Sequence, residues 1–225
     1  MRSIGDAAQR GGVALKSWSY LAARQWPCLF LVACFLATGQ AQSPVKPVLI
    51  LLGPPGAGKS TQAVMVQKRY GFALITREQL MQDDPSLLAR QKQPQIRGVE
   101  PRMDPALNGL FRKRLEKTDI SKGLLLDGYP STKDHGDFLV KVIQEKGLRK
   151  PVVLQLDVPD DVVRKRLQGQ SPAQIEQDLK DYHRENDFLT VYFPQADVVK
   201  IDGNKTPDAV FDQIRKAIDE HMKRR

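Results

Sequence analysis

Beyond residue 34 the chain has no cysteine; Cys28 and Cys34 are the only two it carries. Everything after them therefore needs no disulfide and fits any redox compartment. Histidine is scarce as well: His135, His183 and His221 are scattered, and with no cysteine nearby they indicate no zinc site. The formal net charge of +9 comes without any basic stripe interleaved with aromatics, so nothing points to a nucleic-acid partner. No apolar run reaches the ~20 residues of a membrane-spanning helix. No internal repeat is present.

The basic residues are unevenly placed. Residues 1–46 carry +4 and the rest of the chain +5. Arg2, Arg10, Lys16 and Arg24 precede an apolar stretch from Pro27 to Ala37, with Asp6 the only acid. This reads as an N-terminal leader of the signal-peptide type, with Gly39-Gln40-Ala41 supplying small residues for cleavage after Ala41. Leu31-Val32-Ala33-Cys34 also resembles a lipoprotein processing site, although the apolar run continues past Cys34. The expectation is an exported or periplasmic protein. An organelle transit peptide, or an uncleaved leader on a cytoplasmic protein, is the alternative, and an uncleaved leader would be the one membrane contact. Ser43-Pro44-Val45-Lys46-Pro47 is a linker whose prolines keep it out of regular structure. The domain division is thus 1–46 for leader and linker, and 47–225 for the folded domain.

What the sequence does contain is Gly53-Pro54-Pro55-Gly56-Ala57-Gly58-Lys59-Ser60-Thr61. It follows the apolar run Val48–Leu52 and precedes a helical pattern. Gly53, four residues, then Gly58-Lys59-Ser60 is the complete P-loop spacing in its strand–loop–helix context. Phosphate oxygens must approach backbone N–H groups closely, and a Cβ would obstruct them, hence the glycines. A helix starting near Gly58 aims its unsatisfied N–H groups and positive dipole end at the phosphates. Lys59 adds a positive charge for the β- and γ-phosphates, and the Ser60 hydroxyl can ligand Mg²⁺.

The remainder alternates strands and helices. Predicted strands are Val48–Leu52, Phe72–Ile75, Gly123–Asp127, Val152–Val158 and Asp197–Ile201. Predicted helices run to Tyr70 with Gly71 as the stop, from Asp104-Pro105, from Lys133 to Glu145, from Pro159-Asp160-Asp161, from Ser171-Pro172 and from Thr206-Pro207. Residues 76–103, broken by Pro85, Pro94, Gly98 and Pro101, read as short helices and loops over a cleft. The alternation implies an α/β fold with a parallel sheet. Gly123-Leu124-Leu125-Leu126-Asp127 has no polar alternation, as suits a parallel strand covered on both faces. Its terminal Asp127, at the carboxyl end of a strand beside the P-loop strand, stands where Mg²⁺ is held directly or through water.

Taken together these segments resemble the adenylate kinase family of nucleoside monophosphate kinases over about residues 48–220. The resemblance rests on Gly53–Thr61 with Gln62-Ala63, on Tyr70-Gly71, and on Leu125-Leu126-Asp127-Gly128-Tyr129-Pro130. Leu156-Asp157-Val158-Pro159-Asp160, Tyr182-His183 and Ile201-Asp202-Gly203 complete it. It implies a three-layer P-loop fold with a five-stranded parallel sheet. It also implies reversible transfer of the γ-phosphoryl of ATP to a nucleoside monophosphate, with Mg²⁺. The partners it implies are small-molecule nucleotides, and the chain is expected to act as a monomer. By that resemblance Gly53, Gly56, Ala57, Gly58, Lys59, Ser60 and Thr61 cradle phosphate, Ser60 and Asp127 hold the metal, and Lys59 and Arg166 are the catalytic cations. Arg166 would pack on adenine, and the Gly203–Lys205 turn would border the base.

The chain departs from the family pattern on the acceptor side. Thr76-Arg77-Glu78-Gln79 replaces a Ser-Thr-Gly-Asp segment, and Gln82 and Ser131 stand where phosphate-gripping arginines are usual. His135 replaces a glutamine that reads the acceptor base. Gln170 and Asp178 fall near the places of two lid arginines, and few residues separate the flanking helices, so the lid is short. Arg77, Arg97, Arg102 and Arg184 are read as surface residues, with substitute charge as the alternative role. Three readings remain open: a nucleoside monophosphate kinase, a nucleotide-binding pseudokinase, and a P-loop kinase for another small acceptor.

Overall fold

A computed structural model describes residues 46–87, 106–193 and 198–223, and of 185–192 the backbone alone. The leader, Arg97, Arg102 and the start of the helix expected at Asp104-Pro105 lie outside the described residues.

Five strands form one parallel sheet: β1 Val48–Leu52, β2 Ala73–Thr76, β3 Leu124–Asp127, β4 Val152–Asp157 and β5 Val198–Asp202. Their order is β2-β3-β1-β4-β5. Between them run α1 Lys59–Tyr70, α2 Arg77–Gln82, α3 Ala106–Glu116, α4 Lys133–Glu145, α5 Asp160–Arg166, α6 Pro172–Tyr192 and α7 Pro207–Lys223. The expected α/β P-loop fold is what the chain forms. Among the described residues no helix is long and apolar enough to cross a membrane.

Side-chain alternation along β1 explains the three layers. Val48 and Ile50 join a core with Leu124, Leu126, Leu107, Phe111 and Leu139, so α3 and α4 cover that face. Leu49 and Leu51 join the opposite core with Leu125, Val66, Val210 and Ile214, so α1 and α7 cover the other. Both faces of β1 and β3 are sealed, which is why these strands read as unbroken apolar runs.

The helices begin and end for local reasons. Gly71 closes α1 in the left-handed conformation, with its N–H on the Gln67 carbonyl. Thr132 caps α4 by accepting from the His135 N–H. Thr76 and Gln79 make a reciprocal capping box at the start of α2. The second strand starts one residue later than the sequence suggests. The Ala73 N–H bonds the Gly123 carbonyl at 3.0 Å, while Phe72 is buried in the core beneath. Only residues 167–171 lie between α5 and α6, so the expected short lid is a five-residue link.

Candidate active site

Parallel register brings the chemistry to one edge. Leu51 of β1 stands opposite Asp127 of β3, and Asp127 in turn stands opposite Thr76 of β2. The chain leaves β1 for β2 on the far side of β3, and β4 later pairs with the other edge of β1. The carboxyl ends of β1 and β3 therefore flank the crevice in which parallel α/β sheets bind ligands.

The P-loop follows β1 at that edge. The Ala57 N–H bonds the Pro54 carbonyl at 3.1 Å, which folds the loop, and the Gln62 N–H bonds the Gly58 carbonyl at 3.0 Å, which starts α1. Gly58 sits at φ 90°, a conformation that a side chain would strain. As N-cap it supplies no side-chain acceptor, and the first turn of α1 carries no acid. The donors and positive dipole end of a twelve-residue helix are thus left for an anion. The Lys59 ammonium folds back on the carbonyl oxygens of Gly53 at 2.9 Å and Pro54 at 3.0 Å. Gly56, Gly58, Ser60 and Thr61 are exposed at the mouth, whereas Gly53 and Ala57 are buried beneath them.

Ser60 and Asp127 meet, with Ser60 Oγ 3.4 Å from Asp127 Oδ2. Asp127 is 4% exposed. Burial holds its carboxyl above the ordinary range and Glu78 adds to this, while Lys59 and the Ser60 hydrogen bond oppose it. A desolvated carboxylate beside a hydroxyl is a hard-oxygen pair. Mg²⁺ binds through one or two carboxylates and completes its shell with water and substrate phosphates, so these two residues fit it. Among the described residues no group of three or more His, Cys, Asp or Glu gathers as a metal site.

On the other flank, Arg166 donates to the Gly56 carbonyl at 3.2 Å and to the Gly203 carbonyl at 3.0 Å. One exposed guanidinium thus bridges the P-loop and the turn after β5. Gly203 itself is buried, its N–H on the Asp157 carbonyl at 2.8 Å. Lys205 is exposed and pairs with Asp202 at 3.3 Å. The structure therefore brings Lys59, Ser60 and Asp127 together at the sheet edge, and Arg166 with the Gly203 turn beside them.

The acceptor-side positions fall in several different environments. His135 is 1% exposed, tilted against the Tyr129 ring at 5.1 Å between centroids, with Nδ1 3.3 Å from Ser131 Oγ. A side chain so enclosed does not present an edge to a base, and the substitution for a base-reading glutamine is a core feature. Gln82 is exposed at the end of α2. Gln170 is exposed in the short link, and Asp178 accepts from Gln174 at 2.8 Å. Arg184 is exposed and pairs with Asp181 at 2.8 Å. Arg77 is not a plain surface residue: it is half-buried, with Nη1 3.4 Å from Ser131 Oγ. Sequence spacing could not reveal that contact, because fifty-four positions separate the two residues.

Comparison with known proteins agrees with this geometry. A family model described as adenylate kinase matches residues 51–198, from within β1 to the first residue of β5. An adenylate kinase of Renibacterium salmoninarum is 31% identical over 186 residues, covering 76% of this chain and 95% of its own. One from Thermoanaerobacter sp. is 29% identical over 216 residues, covering 78% and 99%. One from Mesorhizobium japonicum is 27% identical over 189 residues, covering 76% and 96%. The matched span holds the P-loop, Asp127 and Arg166, and it runs through four strands of the sheet into the fifth: the chain belongs to the adenylate kinase family.

Proposed function

We propose that the domain transfers the γ-phosphoryl group of ATP to a nucleoside monophosphate, acting as a monomer on small-molecule nucleotides. The observation that carries this is the meeting of Ser60 and Asp127 at 3.4 Å directly beside an uncapped P-loop helix. Phosphoryl transfer asks little covalent chemistry of a protein; it asks for alignment and for charge to be neutralised in a water-poor site. Backbone donors from Gly53 to Thr61 would seat the donor phosphates, and Lys59 would leave its two carbonyl partners for them. Ser60 and Asp127 would hold Mg²⁺, which when bound neutralises phosphate oxygens. Arg166, already planar across the Gly56 and Gly203 carbonyls, would lie against the adenine, with the turn through Lys205 at its border.

A second reading has support of its own. Ser131 and Gln82 supply no charge where a monophosphate must be gripped, which favours a domain that binds nucleotide without transferring phosphate, or one that serves another small acceptor. A coupled assay with ATP and a panel of monophosphates, beside a calorimetric titration with ADP, separates these. ADP binding with no transfer to any monophosphate would overturn the kinase reading and leave the nucleotide-binding one.

We also read residues 1–46 as an export leader, on the strength of the four basic residues that precede the apolar stretch to Ala37. Fractionation of cells producing the tagged chain, with N-terminal sequencing of the product, tests this; a full-length cytosolic product sinks it.

A further inference from the structure

A monophosphate placed in line with the P-loop phosphates must bring its own negative charge to the β2–β3 side of Asp127. Two acids already stand there. Asp127 ends β3, and Glu78 lies in the first turn of α2, two residues after Thr76, the register partner of Asp127. An incoming phosphate on that side therefore requires a cation.

Arg77 is built into that place. It follows Thr76, the last residue of β2, whose register partner is Asp127. Its stem lies over Gly128, where an added Cβ would come within 3.1 Å of Arg77 Cβ; Gly128 is at φ +71° and so takes glycine on two counts. Its Nη1 reaches Ser131 Oγ at 3.4 Å, and Ser131 Oγ lies 3.3 Å from Nδ1 of the buried His135. The contact between guanidinium and hydroxyl is long, and a phosphate oxygen would replace it with a shorter, charge-assisted bond. The chain of contacts also fixes direction. Ser131 Oγ accepts from Arg77 and shares a second hydrogen bond with Nδ1 of His135, so the hydroxyl is held between the guanidinium and a buried ring.

We propose that Arg77 is the acceptor-phosphate anchor of this enzyme, reaching from the end of β2 to the Ser131 position, with Ser131 and His135 as its positioning residues. The inference rests on the phosphoryl-transfer reading above. The fork geometry matters as much as the charge, because two parallel N–H donors both bind a phosphate and set its angle of attack.

The test compares the natural protein with Arg77→Met, which keeps the stem over Gly128, and with Arg77→Lys, which keeps a point charge. KM and kcat are measured separately for ATP and for AMP. The expected result is a loss of about 10²-fold in kcat/KM for AMP in Arg77→Met, with the KM for ATP within about twofold. Arg77→Lys should recover only part of it. The exchange Arg77→Ser with Ser131→Arg should recover more than Arg77→Ser alone. Unchanged AMP kinetics in a folded Arg77→Met protein overturn the proposal and leave the kinase reading intact. If the natural protein transfers to no monophosphate, the kinase reading fails, and calorimetric titration with AMP decides the anchor. Binding lost in Arg77→Met supports it; equal binding, or none in either protein, overturns it.

Discussion

The Lys59 ammonium lies 2.9 Å from the Gly53 carbonyl oxygen, so the loop's cation closes on the residue that opens the motif. With Pro54 as a second partner, the charge is parked on backbone oxygens and remains within reach of a phosphate. Lys59→Ala should lower kcat/KM for ATP by about 10²–10³-fold, the size of effect seen when one preorganised transition-state donor is removed. Lys59→Arg should also fail, because the fork does not fit a site built around a point charge. Steady-state kinetics with varied ATP provide the check; a Lys59→Ala enzyme within threefold of the natural one would sink the donor assignment.

Asp127 stores instability for function. Its folded pKa lies above the ordinary value, chiefly through burial. Between the unfolded and folded pKa the native state holds the extra proton, so stability falls as pH rises through that window. At neutral pH the charge is a net cost, and it is present in full above the folded pKa. Asp127→Asn should therefore melt higher than the natural protein at neutral pH, with the gap closing as pH drops below the usual aspartate range. The same variant should lose about 10²–10³-fold in transfer rate and most of the Mg²⁺ dependence of nucleotide binding. A lower melting temperature for Asp127→Asn at neutral pH would show that the carboxylate is a net stabiliser.

Much of this was legible where the cause is local. Helix α4 spans the Lys133–Glu145 expected of it, and the structure shows a local cause for its start in the Thr132 cap. The P-loop was readable because spacing and flanks carry its whole mechanism. Boundaries slid by a residue where pairing decides them, as at Phe72, whose ring goes to the core while the ladder begins at Ala73. The acceptor side was the least legible. Whether His135 faces a ligand or the core depends on which side of α4 meets Tyr129, and the Arg77–Ser131 contact depends on β2 lying beside β3. Neither relation has a local signal.

The leader and the domain should be separable. The Lys46 carbonyl accepts from the Arg149 N–H at 3.0 Å and the Pro47 carbonyl from the Leu124 N–H at 2.9 Å, so the domain's backbone bonds reach back to Lys46. A chain beginning at Ser43 keeps both bonds and should melt within about 2 °C of the full chain. A chain beginning at Val48 loses both, at about 1 kcal/mol each, and should melt roughly 4–8 °C lower. Differential scanning calorimetry of the three proteins checks this. A large drop already at Ser43 would mean that the leader packs into the domain.

Arg166 offers the sharpest test on the donor side because one planar group spans two carbonyls. Gly56 belongs to the P-loop and Gly203 to the turn after β5, and Arg166 reaches them at 3.2 and 3.0 Å. The side chain is exposed, so its structural worth is small, about 0.5–1.5 kcal/mol for the hydrogen bonds it makes. Its worth to ATP should be larger, since a flat cation lying along an adenine face gains both stacking and cation–π attraction. Arg166→Ala is expected to raise the KM for ATP roughly tenfold while the KM for the monophosphate stays put. Arg166→Lys should recover little, because an ammonium neither spans both carbonyls nor stacks. If the KM for ATP is unchanged while the melting temperature falls, Arg166 is a tie between two turns and the adenine lies elsewhere.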